Sequence, residues 1–385
     1  MATDVQSSGV RGVVVAHVLD QGEHDSRHER VTLREFARRL AALRGDEDGG
    51  EYDPRRSYAG RLYFVPSDTL TAEQAAALGI RGPDDLLGGV VPHCFVGSKA
   101  ISHPLLAGGA TSLEGWNPRF SEQVGDAVLA GYAVFSPDDA RRAGLELLRR
   151  GPVRLKPVRA SGGRGQHVVR DGAALQALLA AMDEAEIRDH GLVLEEDLVE
   201  TLTFSVGQVC TGDLSATYFG VQKLTCNNQG HEVYGGSDLT VVRGDYEALL
   251  AICSKPDLRL AIEQARRYDA AVRDCFPGFY ATRSNYDILQ GRDAGGSWRS
   301  GVLEQSWRVG GATGGEIAAL EAFRADPRRS CVRTCGVEVF GDSPEPPAHA
   351  TVYFRGTDPR AGRMTKYSFV QEDDDTRQDD RHRGG

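Results

Sequence analysis

The alternation of apolar and polar residues in the first part of the chain predicts an α/β lobe. Gly12–Leu19 is a short apolar run typical of a buried strand, and the apolar residues of Thr32–Leu43 recur at the spacing of one helix face. The polar, glycine-rich segment Arg44–Arg56 predicts a loop, and Arg61–Val65 predicts a second strand. A strand, a helix and another strand indicate an α/β unit, which we place in residues 1–92.

Beyond this lobe the pattern alternates between helical and extended segments. The sequence Ser-Pro-Asp-Asp from Ser136 is typical of a helix start, and Val153–Val158 predicts the strand after that helix. Gly172–Ile187 predicts a further helix, and residues 280–290 and 299–308 predict two strands. The expected units are 93–210, 211–340, C-terminal strands in 341–370 and a disordered acidic tail in 371–385, which has almost no apolar residues.

Composition and charge narrow the possible functions. With 385 residues, 40% hydrophobic and 26% charged, the chain is long enough for several lobes that share a cleft. The formal net charge of -10 argues against broad nucleic-acid binding, which needs a basic face. No apolar run is long enough to span a bilayer, and the N-terminus lacks the pattern of a secretory signal. We therefore expect a cytoplasmic protein without membrane or nucleic-acid partners; a homodimer remains open.

A lysine and a glycine-rich loop form the first candidate site. Alternation along the strand that carries Lys156 places this side chain on the face opposite Val153 and Leu155, and so away from the core. The loop that follows offers small residues whose backbone N–H groups could approach phosphate oxygens. These small residues are Ser161, Gly162, Gly163 and Gly165. A flexible glycine-rich hairpin without a ligand is the alternative reading.

A second apolar strand ends in acidic residues. It runs through Gly191–Leu198 and closes with Glu195, Glu196, Asp197 and Leu198. Such a strand end could offer backbone groups to an adenine ring and a carboxylate to a ribose hydroxyl. Two solvated glutamates at a strand end would produce the same pattern.

Two later acids form the candidate metal site. Gly295 and Gly296 lie between two predicted strands, and two glycines are typical of a two-residue hairpin turn. Counting outward from that turn places Asp287 directly opposite Glu304. Like charges at that separation repel unless a cation lies between them, and Mg²⁺ prefers such carboxylate ligands. The alternative is a surface hairpin whose acids form ordinary salt bridges.

In their order along the chain, these features resemble the ATP-grasp superfamily over about residues 90–325, and most closely an uncharacterised bacterial family of that superfamily, known as a domain of unknown function. The resemblance implies an α/β (α+β) fold in which an N-terminal α/β lobe accompanies two α+β subdomains that clasp ATP. The first subdomain (93–210) would hold the glycine-rich loop and the hinge, and the second (211–340) the metal hairpin.

The resemblance also implies roles for individual residues. Lys99, Lys156 and Lys223 would contact phosphates, the segment from Ser161 to Gly165 would cover them, and Glu195–Leu198 would hold adenine. Thr203 stands where related ligases often have the ribose-binding glutamate, with Glu200 nearby. Asp287, Glu304 and Ser306 would bind Mg²⁺, although Ser306 replaces the asparagine of the family's Glu-x-Asn-x-Arg signature and a hydroxyl is a poorer ligand. Arg308 and Lys156 would be the catalytic residues.

The function that follows is an ATP- and Mg²⁺-dependent ligase. It would phosphorylate a small-molecule carboxylate and pass the acyl group to an amine or another nucleophile. A small-molecule kinase on the same scaffold is one alternative. A nucleotide-binding module without turnover is another, suggested by Ser306 and by the uncertain ribose ligand.

Overall fold

The computed structural model describes residues 11–19, 26–159, 165–342 and 345–371. Its strands, in chain order, are β1 (Val13–His17), β2 (Glu47–Glu51), β3 (Leu62–Pro66), β4 (Leu70–Thr71), β5 (Gly89–Val91), β6 (Gly131–Val134), β7 (Val153–Pro157), β8 (His167–Val169), β9 (Leu192–Glu196), β10 (Val199–Thr211), β11 (Leu214–Cys226), β12 (Glu232–Arg243), β13 (Tyr280–Ala281), β14 (Arg283–Arg292), β15 (Trp298–Ser306), β16 (Cys331–Phe340), β17 (Thr351–Asp358) and β18 (Gly362–Val370). Its α-helices are α1 (Arg27–Arg44), α2 (Ala72–Ala77), α3 (Pro118–Val124), α4 (Pro137–Leu147), α5 (Gly172–Ala181), α6 (Glu184–His190), α7 (Tyr246–Ile252), α8 (Pro256–Cys275) and α9 (Thr313–Ala325). Across these residues, no helix combines the length and the apolar character needed to cross a membrane.

The N-terminal lobe is built on a parallel sheet of order β2-β1-β3. Helix α1 begins after Ser26, whose side chain accepts from the Glu29 N–H, and it ends at Gly45 with a left-handed φ of 74°. The prediction of a loop over Arg44–Arg56 was wrong, because Glu47–Glu51 within it forms the edge strand β2. An edge strand pairs with a neighbour on one side only and can have a polar sequence, so no apolar run marks it in the sequence.

A second sheet, of order β6-β9-β7-β8, is antiparallel throughout. Val153 and Leu155 of β7 face a core shared with α4 and α5, as the alternation predicted. The single helix predicted over Gly172–Ile187 is in fact two, α5 and α6. The break falls where Met182 is extended and Asp183 caps α6 by accepting from the Ala185 N–H.

The largest sheet has eight strands in the order β15-β14-β10-β11-β12-β16-β18-β17. It includes β10 and the C-terminal strands β17 and β18, so the boundaries expected at 210/211 and 340/341 both fall inside one sheet. The expected disordered tail lies outside the described residues except for Gln371.

The two faces of this large sheet pack against different helices. Tyr286 and Ile288 of β14 belong to the core formed with α8, whereas Tyr218 of β11 belongs to the core that includes α1 and α9. Alternate residues of one strand point to opposite faces. Asp287, between Tyr286 and Ile288, therefore faces the side of the sheet on which α9 packs.

Two glycines bring the N-terminal lobe against Trp307, which follows β15 and precedes Arg308. A Cβ on Gly89 would lie 2.6 Å from Trp307 Cβ, and one on Gly88, whose φ is 145°, would lie 3.2 Å from the Trp307 carbonyl oxygen. Thr282 Oγ1 donates to the Leu86 carbonyl at 2.8 Å. These close contacts hold the lobe in a defined position beside Arg308.

Candidate nucleotide and metal site

Asp287 on β14 lies directly opposite Glu304 on β15, as counting from the turn predicted. The predicted two-residue turn itself was wrong. Asp293 N–H donates to the Ser297 carbonyl at 2.9 Å, which makes a three-residue loop in which Gly296 alone of the two glycines has a positive φ, of 80°. The register then shifts once more between Asp287 and Ile288, because Leu303 is an extra residue on β15. The two deviations cancel at the acid pair.

Hydrogen bonds converge on one oxygen of Asp287. Ser205 Oγ donates to Asp287 Oδ1 at 3.0 Å, and Asn285 Nδ2 donates to the same oxygen at 2.9 Å. Burial raises the pKa of Asp287, and the facing Glu304 carboxylate raises it further; hydrogen bonds from Asn285, Ser205 and Gln222 offset only part of this effect. The acid pair is therefore a place where negative charge is unfavourable in the absence of a cation.

Lys99 contacts the other acid of the pair. It begins a 3-10 turn, Lys99–Ser102, and its Nζ lies 3.0 Å from Glu304 Oε2. Gln305, the next residue of β15, holds this turn by donating from Nε2 to the Ser98 carbonyl at 2.7 Å and to the Val96 carbonyl at 3.1 Å. The structure thus brings together Lys99 and Glu304, which the sequence analysis placed in one site on resemblance alone.

Lys156 forms a buried ion pair with Glu195. Its ammonium contacts one carboxylate oxygen, while His103 Nε2 lies 3.2 Å from the other. Glu195 is only 1% exposed. Burial alone would raise the pKa of Glu195, but the Lys156 charge and the contact with His103 outweigh it and lower that pKa to about 2. Lys156 points away from the core of its own sheet, as expected, yet it lies in the protein interior.

One short segment links the two ion pairs. Lys99 contacts Glu304 of the large sheet, and His103, four residues later, contacts Glu195 of the second sheet. A 3-10 turn rises about 2 Å per residue, so these two contacts start from backbone positions roughly 8 Å apart. The Asp287 and Lys156 clusters are therefore neighbours in space.

The remaining residues of the predicted hinge have separate partners. Glu196 Oε1 accepts from the Ala130 N–H at 3.1 Å. Asp197 Oδ1 accepts from Arg154 at 2.6 Å, and Leu198 is buried. Of these side chains, Glu195 alone contacts Lys156, so the structure separates the acidic cluster into one buried partner of the lysine and two acids bound elsewhere.

Arg283, which the sequence analysis missed, occupies the space behind Ser306. Its guanidinium is buried against Glu316 of α9 at 2.8 Å, and its Nη1 donates to Ser306 Oγ at 3.3 Å and to the Arg308 carbonyl at 2.6 Å. Arg308 itself is half-exposed, with Nε 3.5 Å from Asp68 Oδ1 of the N-terminal lobe. Ser306 therefore already accepts from a cation, whereas Arg308 faces the junction between two lobes.

Thr203 and Lys223 lie on opposite faces of the large sheet. Thr203 is two residues before Ser205 on β10 and so shares the face of Asp287. Lys223 follows Gln222, whose Nε2 donates to Ser205 Oγ at 3.0 Å, and alternation turns the lysine to the other face. There its Nζ lies 2.7 Å from Asp238. The structure thus groups Thr203 with the acid pair and separates Lys223 from it.

The glycine-rich loop is described only at its end. Ser161, Gly162 and Gly163 lie outside the described residues. Gly165 has a φ of 66° and precedes β8, which returns antiparallel to β7. Strands β7, which carries Lys156, and β8 are therefore antiparallel neighbours on either side of this segment.

A buried polar network supports the acid pair from behind, and most of its members were not anticipated. The Tyr218 hydroxyl donates to Asn285 Oδ1 at 2.9 Å and lies 2.6 Å from Glu316 Oε1. Alternation could have grouped Arg283, Asn285 and Asp287 on one face of β14. No sequence pattern indicates their partners on β11 and α9, which come from distant parts of the chain.

The residues present are compatible with one Mg²⁺ ion bound together with a substrate phosphate. No group of three or more His, Cys, Asp or Glu side chains at metal-binding separation occurs in the described part of the chain. Mg²⁺ usually takes one or two carboxylates and completes its shell with phosphate and water. Asp287 and Glu304 supply two such carboxylates, and the raised pKa of Asp287 is the electrostatic cost that a cation would relieve.

Two solved structures are similar to this chain. Phosphoribosylamine–glycine ligase of Thermotoga maritima matches with a TM-score of 0.51 and 13% identity, over 93% of this chain and 92% of that chain. D-alanyl-alanine synthetase A of Vibrio cholerae O1 biovar eltor str. N16961 has a TM-score of 0.41 and 11% identity, over 78% of this chain and 90% of that chain. No curated protein sequence matches significantly.

The chain has the mixed α+β fold of the ATP-grasp proteins, which confirms the fold class expected from the sequence. Within that fold, it belongs to a family described as proteins of unknown function (DUF3182), whose model matches residues 14–368.

Proposed function

We propose that the protein is an ATP- and Mg²⁺-dependent ligase that activates a small-molecule carboxylate as an acyl-phosphate. One observation supports this more than any other. The segment from Lys99 to His103 joins the Asp287 and Glu304 pair to the Lys156 and Glu195 pair, so that acids suited to Mg²⁺ and lysines suited to phosphates are neighbours. The ATP-grasp fold, as found in phosphoribosylamine–glycine ligase, is consistent with this use of the site.

The chemistry needs no covalent protein nucleophile. A carboxylate oxygen of the substrate attacks the γ-phosphorus, the bond from that phosphorus to the β,γ-bridging oxygen breaks, and ADP leaves with the electron pair. An amine nitrogen then attacks the acyl carbon, phosphate leaves, and the surplus amine proton passes to solvent. A bound Mg²⁺ supplies charge neutralisation at the phosphates.

The protein's own residues act by position and charge in this proposal. Lys99 and Lys156 hold the phosphates as fixed positive charges, and Asp287 and Glu304 hold the cation. Arg308, half-exposed beside Asp68, provides a guanidinium that suits the anionic carboxylate or the transferring phosphoryl group. Contributions of this kind come mainly from orientation in a preformed site.

A product assay tests the proposal. The protein is incubated with ATP, Mg²⁺, a pool of carboxylates and a pool of amines, and ADP and free phosphate are measured. The expected result is that ADP and free phosphate are released only when carboxylates and amines are both present. Asp287→Asn should abolish this release. ADP release with a phosphorylated product and no free phosphate would instead identify a kinase. Binding of ATP without turnover under every pool would identify a nucleotide-binding module.

A further inference from the structure

Hydrogen bonds from neutral side chains surround the Asp287 carboxylate. Ser205 Oγ and Asn285 Nδ2 both donate to Oδ1, and Gln222 contributes a further hydrogen bond to the carboxylate. These donors hold Asp287 in a defined orientation opposite Glu304.

The direction of the Ser205 hydroxyl is itself determined by a neighbour. Gln222 Nε2 donates to Ser205 Oγ at 3.0 Å, and the hydroxyl has a single hydrogen, which therefore points to Asp287. Ser205 is only 2% exposed, so water does not compete for this bond. Groups that hydrogen-bond to metal ligands typically change metal affinity by about 10–100-fold when removed.

Ser306 differs from Ser205, because its hydroxyl oxygen accepts a hydrogen bond from a cationic side chain. Its Oγ accepts from the buried Arg283 guanidinium at 3.3 Å, so a positive charge already lies beside the atom that would have to bind a second cation. Arg283 is 1% exposed and bonded to the fully buried Glu316, so it cannot swing away to make room. A divalent ion at Ser306 would meet that charge at short range in a poorly solvated place.

We infer that the hairpin binds one divalent cation per chain, through Asp287 and Glu304, and that Ser205, not Ser306, is the serine on which its affinity depends. Ser205 acts as a positioning residue, because it touches the metal ligand and not the metal. The inference rests on the proposed function, since it assumes that the acid pair binds the nucleotide-bound cation.

Two matched serine substitutions provide the test. Mn²⁺ binding is measured by electron paramagnetic resonance in the presence of a saturating non-hydrolysable ATP analogue, for the wild type, Ser205→Ala and Ser306→Ala. The expected stoichiometry is one Mn²⁺ per chain. Ser205→Ala should raise the Kd for Mn²⁺ about tenfold. Ser306→Ala should change it less than about twofold.

A further variant guards against a folding defect. Gln222 is only partly buried, and Gln222→Leu removes both the hydrogen bond that orients the Ser205 hydroxyl and the one that Gln222 makes to Asp287, so it should weaken Mn²⁺ binding in the same direction as Ser205→Ala. Two Mn²⁺ ions per chain, or a loss with Ser306→Ala as large as with Ser205→Ala, would overturn the inference. If the wild type binds the Mn²⁺ nucleotide and Asp287→Asn abolishes this binding, the proposed metal ligands are supported. This holds even when the two serine substitutions do not change the Kd for Mn²⁺ as expected. Absence of Mn²⁺ nucleotide binding in the wild type would overturn both.

Discussion

Lys156 on β7 and Glu195 on β9 form an ion pair in the protein interior, and His103 contacts the second oxygen of the same carboxylate. Each member of this cluster is less than a tenth exposed. Removal of one partner from a buried pair leaves an uncompensated charge, which is far more costly than the loss of a surface salt bridge. The cluster therefore combines a candidate phosphate ligand with a structural role.

This pair should make the free energy of unfolding depend on pH in the acidic range. The pKa of Glu195 falls from 4.5 to about 2 on folding, so its contribution is complete above pH 4.5 and is lost as the pH falls towards 2. A shift of that size corresponds to about 3 kcal/mol. Glu195→Gln should lower the free energy of unfolding at pH 7 by about that amount and flatten its dependence on pH between about 5 and 2. Urea unfolding at a series of pH values measures both quantities.

Glu263→Gln is the matched control for that experiment, because Glu263 forms an exposed pair with Arg259 on α8. It should change the free energy of unfolding by less than about 1 kcal/mol. An acid profile of Glu195→Gln that parallels the wild type would show that Glu195 is not the group responsible.

The acid pair predicts a stabilising substitution. Asp287→Asn keeps the shape and an acceptor oxygen for Ser205 while it removes one of two like charges directly opposite each other. Without metal, the variant should be more stable than the wild type by about 0.5–1 kcal/mol. With Mg²⁺ and a non-hydrolysable ATP analogue, the wild type should gain in melting temperature and the variant should not. Glu263→Gln, at the exposed acid that pairs with Arg259 on α8, serves as the control; equal Mg²⁺ responses in all three chains would contradict the metal assignment.

Asp287 and Glu304 illustrate what sequence could and could not predict. A count along two strands from a glycine-rich turn placed them opposite each other, although the turn that it assumed was wrong. The three-residue loop and the extra residue Leu303 were not predictable, because both depend on how the strands twist and pair within the large sheet. The count succeeded at this pair because the two shifts are equal and opposite.

The partners of buried charged residues were harder to predict from the sequence than the acid pair. Alternation indicated correctly that Lys156 leaves the core of its own sheet, but it could not show that Glu195 lies beside it, because strand β8 and two helices separate the two strands in sequence. Arg283 was missed for the same reason, since its partner Glu316 lies on α9. Such contacts depend on the tertiary arrangement, and single-strand patterns do not contain them.

The contact between the N-terminal lobe and Trp307 predicts a strong effect of a single methyl group. In Gly89→Ala the new Cβ would lie 2.6 Å from Trp307 Cβ, so the lobe or the strand must move. We expect a loss of about 1–3 kcal/mol in the free energy of unfolding, measured by urea denaturation. Gly82→Ala is the control, because its Cβ meets nothing within 4 Å and its φ of 174° suits any residue. Equal stability of the two variants would mean that the lobe adapts without cost.

Two lysines test which face of the large sheet binds the nucleotide. Lys99 lies 3.0 Å from Glu304 on the face of Asp287, and Lys223 lies 2.7 Å from Asp238 on the opposite face. The Lys99 side chain is only 7% exposed and that of Lys223 is 49% exposed, so the two methionine variants are compared by their nucleotide binding and not by their stability. Titration calorimetry with Mg²⁺ and a non-hydrolysable ATP analogue then measures the difference between the faces.

Lys99→Met should weaken nucleotide binding about tenfold, equivalent to about 1.4 kcal/mol, because a fixed positive charge near the phosphates is lost. Lys223→Met should change the Kd by less than about twofold, because the sheet lies between its ammonium and the acid pair. If Lys223→Met weakens binding as much as Lys99→Met, the nucleotide does not lie on the face of Asp287. The acid pair would then be an ordinary surface hairpin, and the phosphates would have to be bound on the face that Lys223 shares with Asp238.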